Sequence, residues 1–147
     1  MRILICPTDR SDVAPSIVTN ADLALRSYII NGWNDCFQVE MGGSFSMAAI
    51  ISKAMSEQMI KLPSETIIFG EKETSSGHYY MDMLEGVGND FTEVEQSRHG
   101  AAAKSSGGSN FAFADGSARY LRFGMSLDPL NLWFVDPELR QKGSQAF

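Results

Sequence analysis

No stretch of this chain is long and apolar enough to span a bilayer. The apolar run near the start is Ile3-Leu4-Ile5-Cys6, far short of a signal-peptide core. Residues 45–60 are rich in Met, Ala and Ile, but Ser52, Lys53, Ser56, Glu57 and Gln58 interrupt them. Cysteine is scarce. Cys6 and Cys36 stand alone, with no CxxC and no Cys/His cluster beside them, so the sequence predicts no structural zinc site. There is no Gly-x-Ser-x-Gly elbow, which removes the usual serine-hydrolase signature. Walker A and Rossmann glycine patterns are also missing, since Gly107-Gly108 lacks the Lys-Ser/Thr of a phosphate loop. Basic residues form no stripe. With a net charge of −6, the chain is a poor nucleic-acid binder.

What is present describes a folded protein. At 147 residues, 44% hydrophobic and 20% charged, residues 1–147 read as one domain with its own core. The charge imbalance is local: Glu65 to Glu95 holds eight acids against one base, Lys72. Such a run is either a solvated face or a cation-binding region, because hard cations take several carboxylate and carbonyl oxygens. Cys6 and Cys36 are either two separate thiols or a disulfide. Closing that loop stabilises by roughly 3–4 kcal/mol in the chain-entropy model.

The patterning predicts an α+β fold: an antiparallel sheet with one clear helix. Strand or buried-segment candidates are Ile3–Ile5, Ser27–Ile30, Thr66–Phe69, His78–Met83 and Leu130–Val135. Asn34 to Gly43 reads as a loop. The helix is expected after it, where Ala48, Ile51, Met55, Met59 and Leu62 form one apolar face that Pro63 ends. A hairpin is expected around Asp115-Gly116, with both residues at positive φ in a type I′ turn. That register puts Phe111, Phe113, Ala118 and Tyr120 on one face.

Arg98-His99-Gly100 followed by Asn110 to Gly116 resembles the H-X9-DG motif of bacterial prepilin-like proteins, relatives of type II secretion pseudopilins. Here fifteen residues, Gly100 to Ala114, separate His99 from Asp115. Cys6-Pro7-Thr8-Asp9 resembles the family's CPSD segment, and Ser27 to Trp33 its SY-x-x-N-G segment. Pro63 to Glu71 is similar to its PSE segment. The resemblance covers Cys6 to Phe123 in four ordered segments. It implies a pilin-like C-terminal head domain, non-catalytic, serving fibre assembly or secretion at the cell envelope, in the periplasm or on the surface of a bacterium. His99, Asp115 and Gly116 are then structural motif residues. The implied partners are copies of itself or other pseudopilins, with membrane contact only through a long N-terminal helix. That helix is not in this sequence, so a fragment or a helix-less relative is expected, with apolar surface open for dimerisation. Pseudopilin heads also suggest calcium, held by the Glu85–Glu95 loop or by Asp128 and Asp136.

Two other classes remain open. A metal-dependent hydrolase would use His78, Asp82 and His99, with Asp115 as a further ligand and Glu71 or Glu73 as base. A secreted carbohydrate- or peptide-binding module would present Trp33, Tyr79, Tyr80 and Trp133 as an aromatic surface.

Overall fold

A computed structural model describes residues 4–9, 26–50, 52–83, 89–100 and 105–143. Its centre is a five-stranded sheet. The strands are β1 (Tyr28–Asn31), β2 (Ile67–Glu71), β3 (Tyr80–Met81), β4 (Gly108–Phe113) and β5 (Ala118–Arg122), in the order β3-β1-β2-β4-β5. Three neighbouring pairs are antiparallel and β1–β3 is parallel, so the sheet is mixed and not purely antiparallel. The α+β class holds. Leu4 and Ile5 lie in a turn, and Leu130–Val135 is a buried irregular segment; neither is a strand.

The one clear helix is elsewhere than the apolar spacing predicts. It is α1, Asn34–Met41, in the stretch that reads as a loop. Its inward side is Asn34, Asp35 and Phe37, so only one buried position is apolar and no hydrophobic stripe marks it. Trp33 precedes it at φ 60, with its N–H held by the Asn31 side chain at 2.8 Å. The expected helix over Ala48–Leu62 breaks up into α2 (Met47–Ile50) and a 3₁₀ turn, Glu57–Met59, which the Ser56 hydroxyl caps at its start. Met55 and Ile60 instead line a groove against Ile30, Trp33 and Phe69, away from the main core. A helix that short gains too little from propensity alone to persist without a packed face.

The hairpin also differs from expectation. Ser117 C=O accepts the Phe113 N–H, and Phe113 C=O accepts the Gly116 N–H, so the loop has three residues. Only Gly116 has positive φ, at 83°. This is the three-residue alternative to the tight turn. It moves the register by one, so Phe111 faces Arg119 and Asn110 faces Tyr120. A slip of one residue exchanges the faces of β5. Tyr120 therefore leaves the Phe111–Phe113 side and is 50% exposed, while Arg119 lies over the Phe113 ring at 4.1 Å.

The inner face carries the core. Ile29, Gly70 and Phe111 stand in one row across it, with Ile67 and Phe113 in the next. Trp133, Phe134 and Leu127 cover them from the C-terminal segment. Trp133 packs edge-on to Phe111, with centroids 6.3 Å apart. Gly70 makes room for it: a Cβ there would stand 2.6 Å from the indole. Two polar clasps hold the cover in place. Asn31 Nδ2 donates to the carbonyls of Ile67 (2.8 Å) and Trp133 (2.6 Å). Arg140, at the start of α3 (Arg140–Gly143), donates to Phe134 C=O, Glu65 and Thr66.

The outer face is more open. Successive partners Tyr80, Ile30, Phe69, Ala112 and Ala118 form one row across all five strands. Phe69 is 42% exposed. Among the described residues, no helix is long and apolar enough to cross a membrane.

Candidate functional site

At one end of the outer face the Cys6–Asp9 turn closes over β2. Glu71, the last residue of β2, points outward on the same side as Phe69 and is 1% exposed. Its Oε2 accepts the Asn110 N–H at 2.8 Å, just where the β2–β4 pairing stops at Gly70 and Phe111. Its Oε1 meets His99 Nε2, also at 2.8 Å. His99 is fixed by a two-bond bridge to Gly108, the first residue of β4. Cys6 Sγ lies 3.9 Å from the same His99 Nε2 and 3.0 Å from Thr8 Oγ1. Thr8 Oγ1 in turn stands 3.5 Å from His99 Nδ1. Among the described residues, Cys6, Glu71 and His99 are the one set of three His, Cys, Asp or Glu side chains gathered closely enough to share an ion.

Next to this trio is a buried charge clasp. Arg98 Nη1 pairs with Asp9 Oδ1 at 3.0 Å, both side chains nearly closed off. The same guanidinium donates to Thr74 Oγ1 and to the Lys72 carbonyl. Asp9 also accepts from Ser27 Oγ (2.7 Å) and Thr74 Oγ1 (2.6 Å). Burial acts to raise the Asp9 pKa, but the Thr74 and Ser27 hydroxyls and Arg98 outweigh it and hold the carboxyl below its ordinary value. Burial, with Cys6 and Glu71 close by, pushes the Tyr28 phenol up.

The expected hydrolase set is not assembled. His78 Nδ1 lies 3.2 Å from Asp90 Oδ2, which also accepts the Asp82 N–H, whereas His99 sits with Glu71. Asp115 is in the hairpin turn, beyond the far end of β4 from His99. It is exposed, bound to Ser117 and Arg119, and held below its ordinary pKa first by the Ser117 hydroxyl and N–H. The trio does not form a proton relay either. Cys6 and Glu71 converge on one ring nitrogen, and a nucleophile–base–acid chain needs them on opposite nitrogens.

Cys6 and Cys36 are both free thiols; Cys6 packs beside Ser27, before β1, and Cys36 is on α1, after it. The expected calcium ligands do not converge among the described residues. Asp90 serves His78, Asp136 Oδ1 accepts the Glu138 N–H, and Asp128 is exposed. Glu85 lies outside the described residues. Nor is the acidic stretch simply a solvated face, since Glu71, Asp82 and Asp90 are buried. The aromatic residues form no coplanar platform. Trp133 is fully buried, and Tyr79 and Tyr80 meet at 67°. A groove of about 530 Å³ has Phe91, Val94, Phe123 and Leu127 as walls and Glu73, Glu95 and Asp128 on its lining.

The sequence places Glu71 and His99 in one expected set, as base and ligand of a hydrolase, but links neither to Cys6-Pro7-Thr8-Asp9. No spacing rule links positions 6, 71 and 99; only the sheet topology does. Comparison of the chain with protein-family models, curated proteins and solved structures finds no match.

Proposed function

We propose that this chain is a non-catalytic structural head domain that assembles through an open sheet face. Within that class the reading is a pseudopilin-like protein, acting in fibre assembly or secretion at a bacterial cell envelope. One observation supports it: parts of all four segments that resemble the family interlock around a single point, with Asp115-Gly116 apart from it in the hairpin turn. Cys6–Asp9 supplies the closing turn, Ser27 its hydroxyl anchor, Glu71 the buried carboxylate, and Arg98-His99 the two side chains that reach across. Each of these groups is engaged in holding chain segments together, which is what a structural head requires.

The outer row of Tyr80, Ile30, Phe69, Ala112 and Ala118 is the surface such a head offers to a neighbouring subunit or an apolar helix. A photo-reactive residue at position 69 should cross-link to a second copy or to an apolar helical segment of an assembly subunit. The same residue at Glu138, on the covering segment, should not. Equal cross-linking at both positions, or none at 69, contradicts the reading.

A further inference from the structure

We propose that Cys6, Glu71 and His99 form a binding site for a divalent transition-metal ion of the zinc type. The donor set is one thiolate, one imidazole and one carboxylate, a combination that suits zinc and not calcium or magnesium. Thiolate and carboxylate together balance the charge of a divalent ion. The spacing is close to what such an ion needs. With zinc–ligand distances of ~2.0–2.3 Å, tetrahedral donors stand roughly 3.3–3.6 Å apart. His99 Nε2 is 3.9 Å from Cys6 Sγ and 2.8 Å from Glu71 Oε1, so the first gap closes and the second opens by about half an ångström each.

Both contacts fall on the same ring nitrogen, as shared coordination requires. The other nitrogen, Nδ1, lies 3.5 Å from Thr8 Oγ1, and the His99 main chain is held by its two-bond bridge to Gly108. Glu71 is oriented independently through Asn110 N–H to Oε2, and the Cys6 main chain through its N–H to Ser27 Oγ. The three ligands therefore come from elements that are already positioned. Binding would release the thiol proton and tie the Cys6–Asp9 turn to β2 and to the start of β4. This site stands whether or not the head-domain reading does.

The test is titration of the purified full chain with cobalt(II) as a spectroscopic probe, followed by displacement with zinc(II). One equivalent of cobalt should produce a thiolate-to-metal charge-transfer band and the strong visible bands of tetrahedral coordination. Only two cysteines are present, so the source of the thiolate is decided by two variants. Cys36→Ser should keep the charge-transfer band and Cys6→Ser should lose it. If Cys6→Ser does not fold, retention of the band in Cys36→Ser still assigns it to Cys6. Absence of binding, binding without a thiolate band, or loss of the band in Cys36→Ser overturns the proposal.

Discussion

His99 Nε2 and Glu71 Oε1 meet at 2.8 Å on the outer side of the sheet, with Glu71 almost wholly buried beneath the Cys6–Asp9 turn. The pair joins the end of β2 to the segment that bridges onto β4. Because Glu71 also takes the Asn110 N–H, one carboxylate closes the gap left where the β2–β4 pairing ends. Thus a side chain that reads in sequence as one acid of an acidic run is a fixed part of the sheet.

The Asp9–Arg98 pair should behave as a coupled, buried unit. Arg98→Met leaves Asp9 buried without its cation and should cost about 3–5 kcal/mol. Adding Asp9→Asn should return part of that loss, since the uncompensated charge is then gone. Urea denaturation of the two single variants and the double variant gives the coupling. Additive losses would show that the contact carries no specific energy.

Asn31 should be irreplaceable by an apolar residue of similar size. Asn31→Leu strips partners from the Ile67 and Trp133 carbonyls and the Trp33 N–H. Unmet groups of this kind cost about 1–3 kcal/mol each, so a loss near 3 kcal/mol or more is expected in denaturant melts. The near-ultraviolet circular dichroism of Trp133 should weaken with it, because the clasp on the covering segment is gone. A loss below 1 kcal/mol would mean that water replaces the side chain.

Stability should fall as pH rises through the range set by Asp35. Burial pushes its carboxyl up from 3.8 to about 6, against the N–H groups of Asp136, Cys36 and Val135, which pull it down. Between those two values the native state holds the proton and the unfolded chain has released it. Stability therefore declines from about pH 4 to about pH 6 and the penalty remains above that. Asp35→Asn should flatten this part of the profile and stabilise the protein at pH 8 by on the order of 2 kcal/mol. Asp9 works in the opposite sense: its lowered pKa gives stability that is present above the ordinary carboxylate range and is lost at lower pH. Thermal melts of wild type and Asp35→Asn at pH 4.5 and 8 separate the two. An unchanged difference between the proteins at the two pH values would contradict the assignment.

The parts of the fold legible in sequence are those whose signal is local. The β-branched run before Gly70, the Tyr28–Ile30 segment and the alternation into Phe113 all became strands close to where they were expected. Errors arose where tertiary context decides. Asn34 and Asp35 are buried polar residues, so α1 shows no apolar stripe. Met55 and Met59 keep helical spacing, yet Met55 lies in the irregular stretch between α2 and the 3₁₀ turn, against the outer sheet face, and Met59 lies in that turn. The Asp-Gly pair suggests two positive φ values, but Ala114 joins the loop and Gly116 alone supplies one. At the candidate site each segment was visible, while its meeting point depends on β1, β2 and β4 lying side by side, which no residue spacing encodes.

The most direct test of the account is sedimentation velocity of the full chain over a wide range of concentration, with Phe69→Asp alongside. Phe69 is the exposed apolar centre of the outer row, and a charge there should not disturb the inner core. The account predicts concentration-dependent self-association by the wild type and a monomer for Phe69→Asp that keeps the near-ultraviolet circular dichroism of the buried Trp133. A wild-type chain that stays monomeric at every concentration would contradict self-assembly through this face, and a Phe69→Asp variant that associates equally well would contradict the face itself.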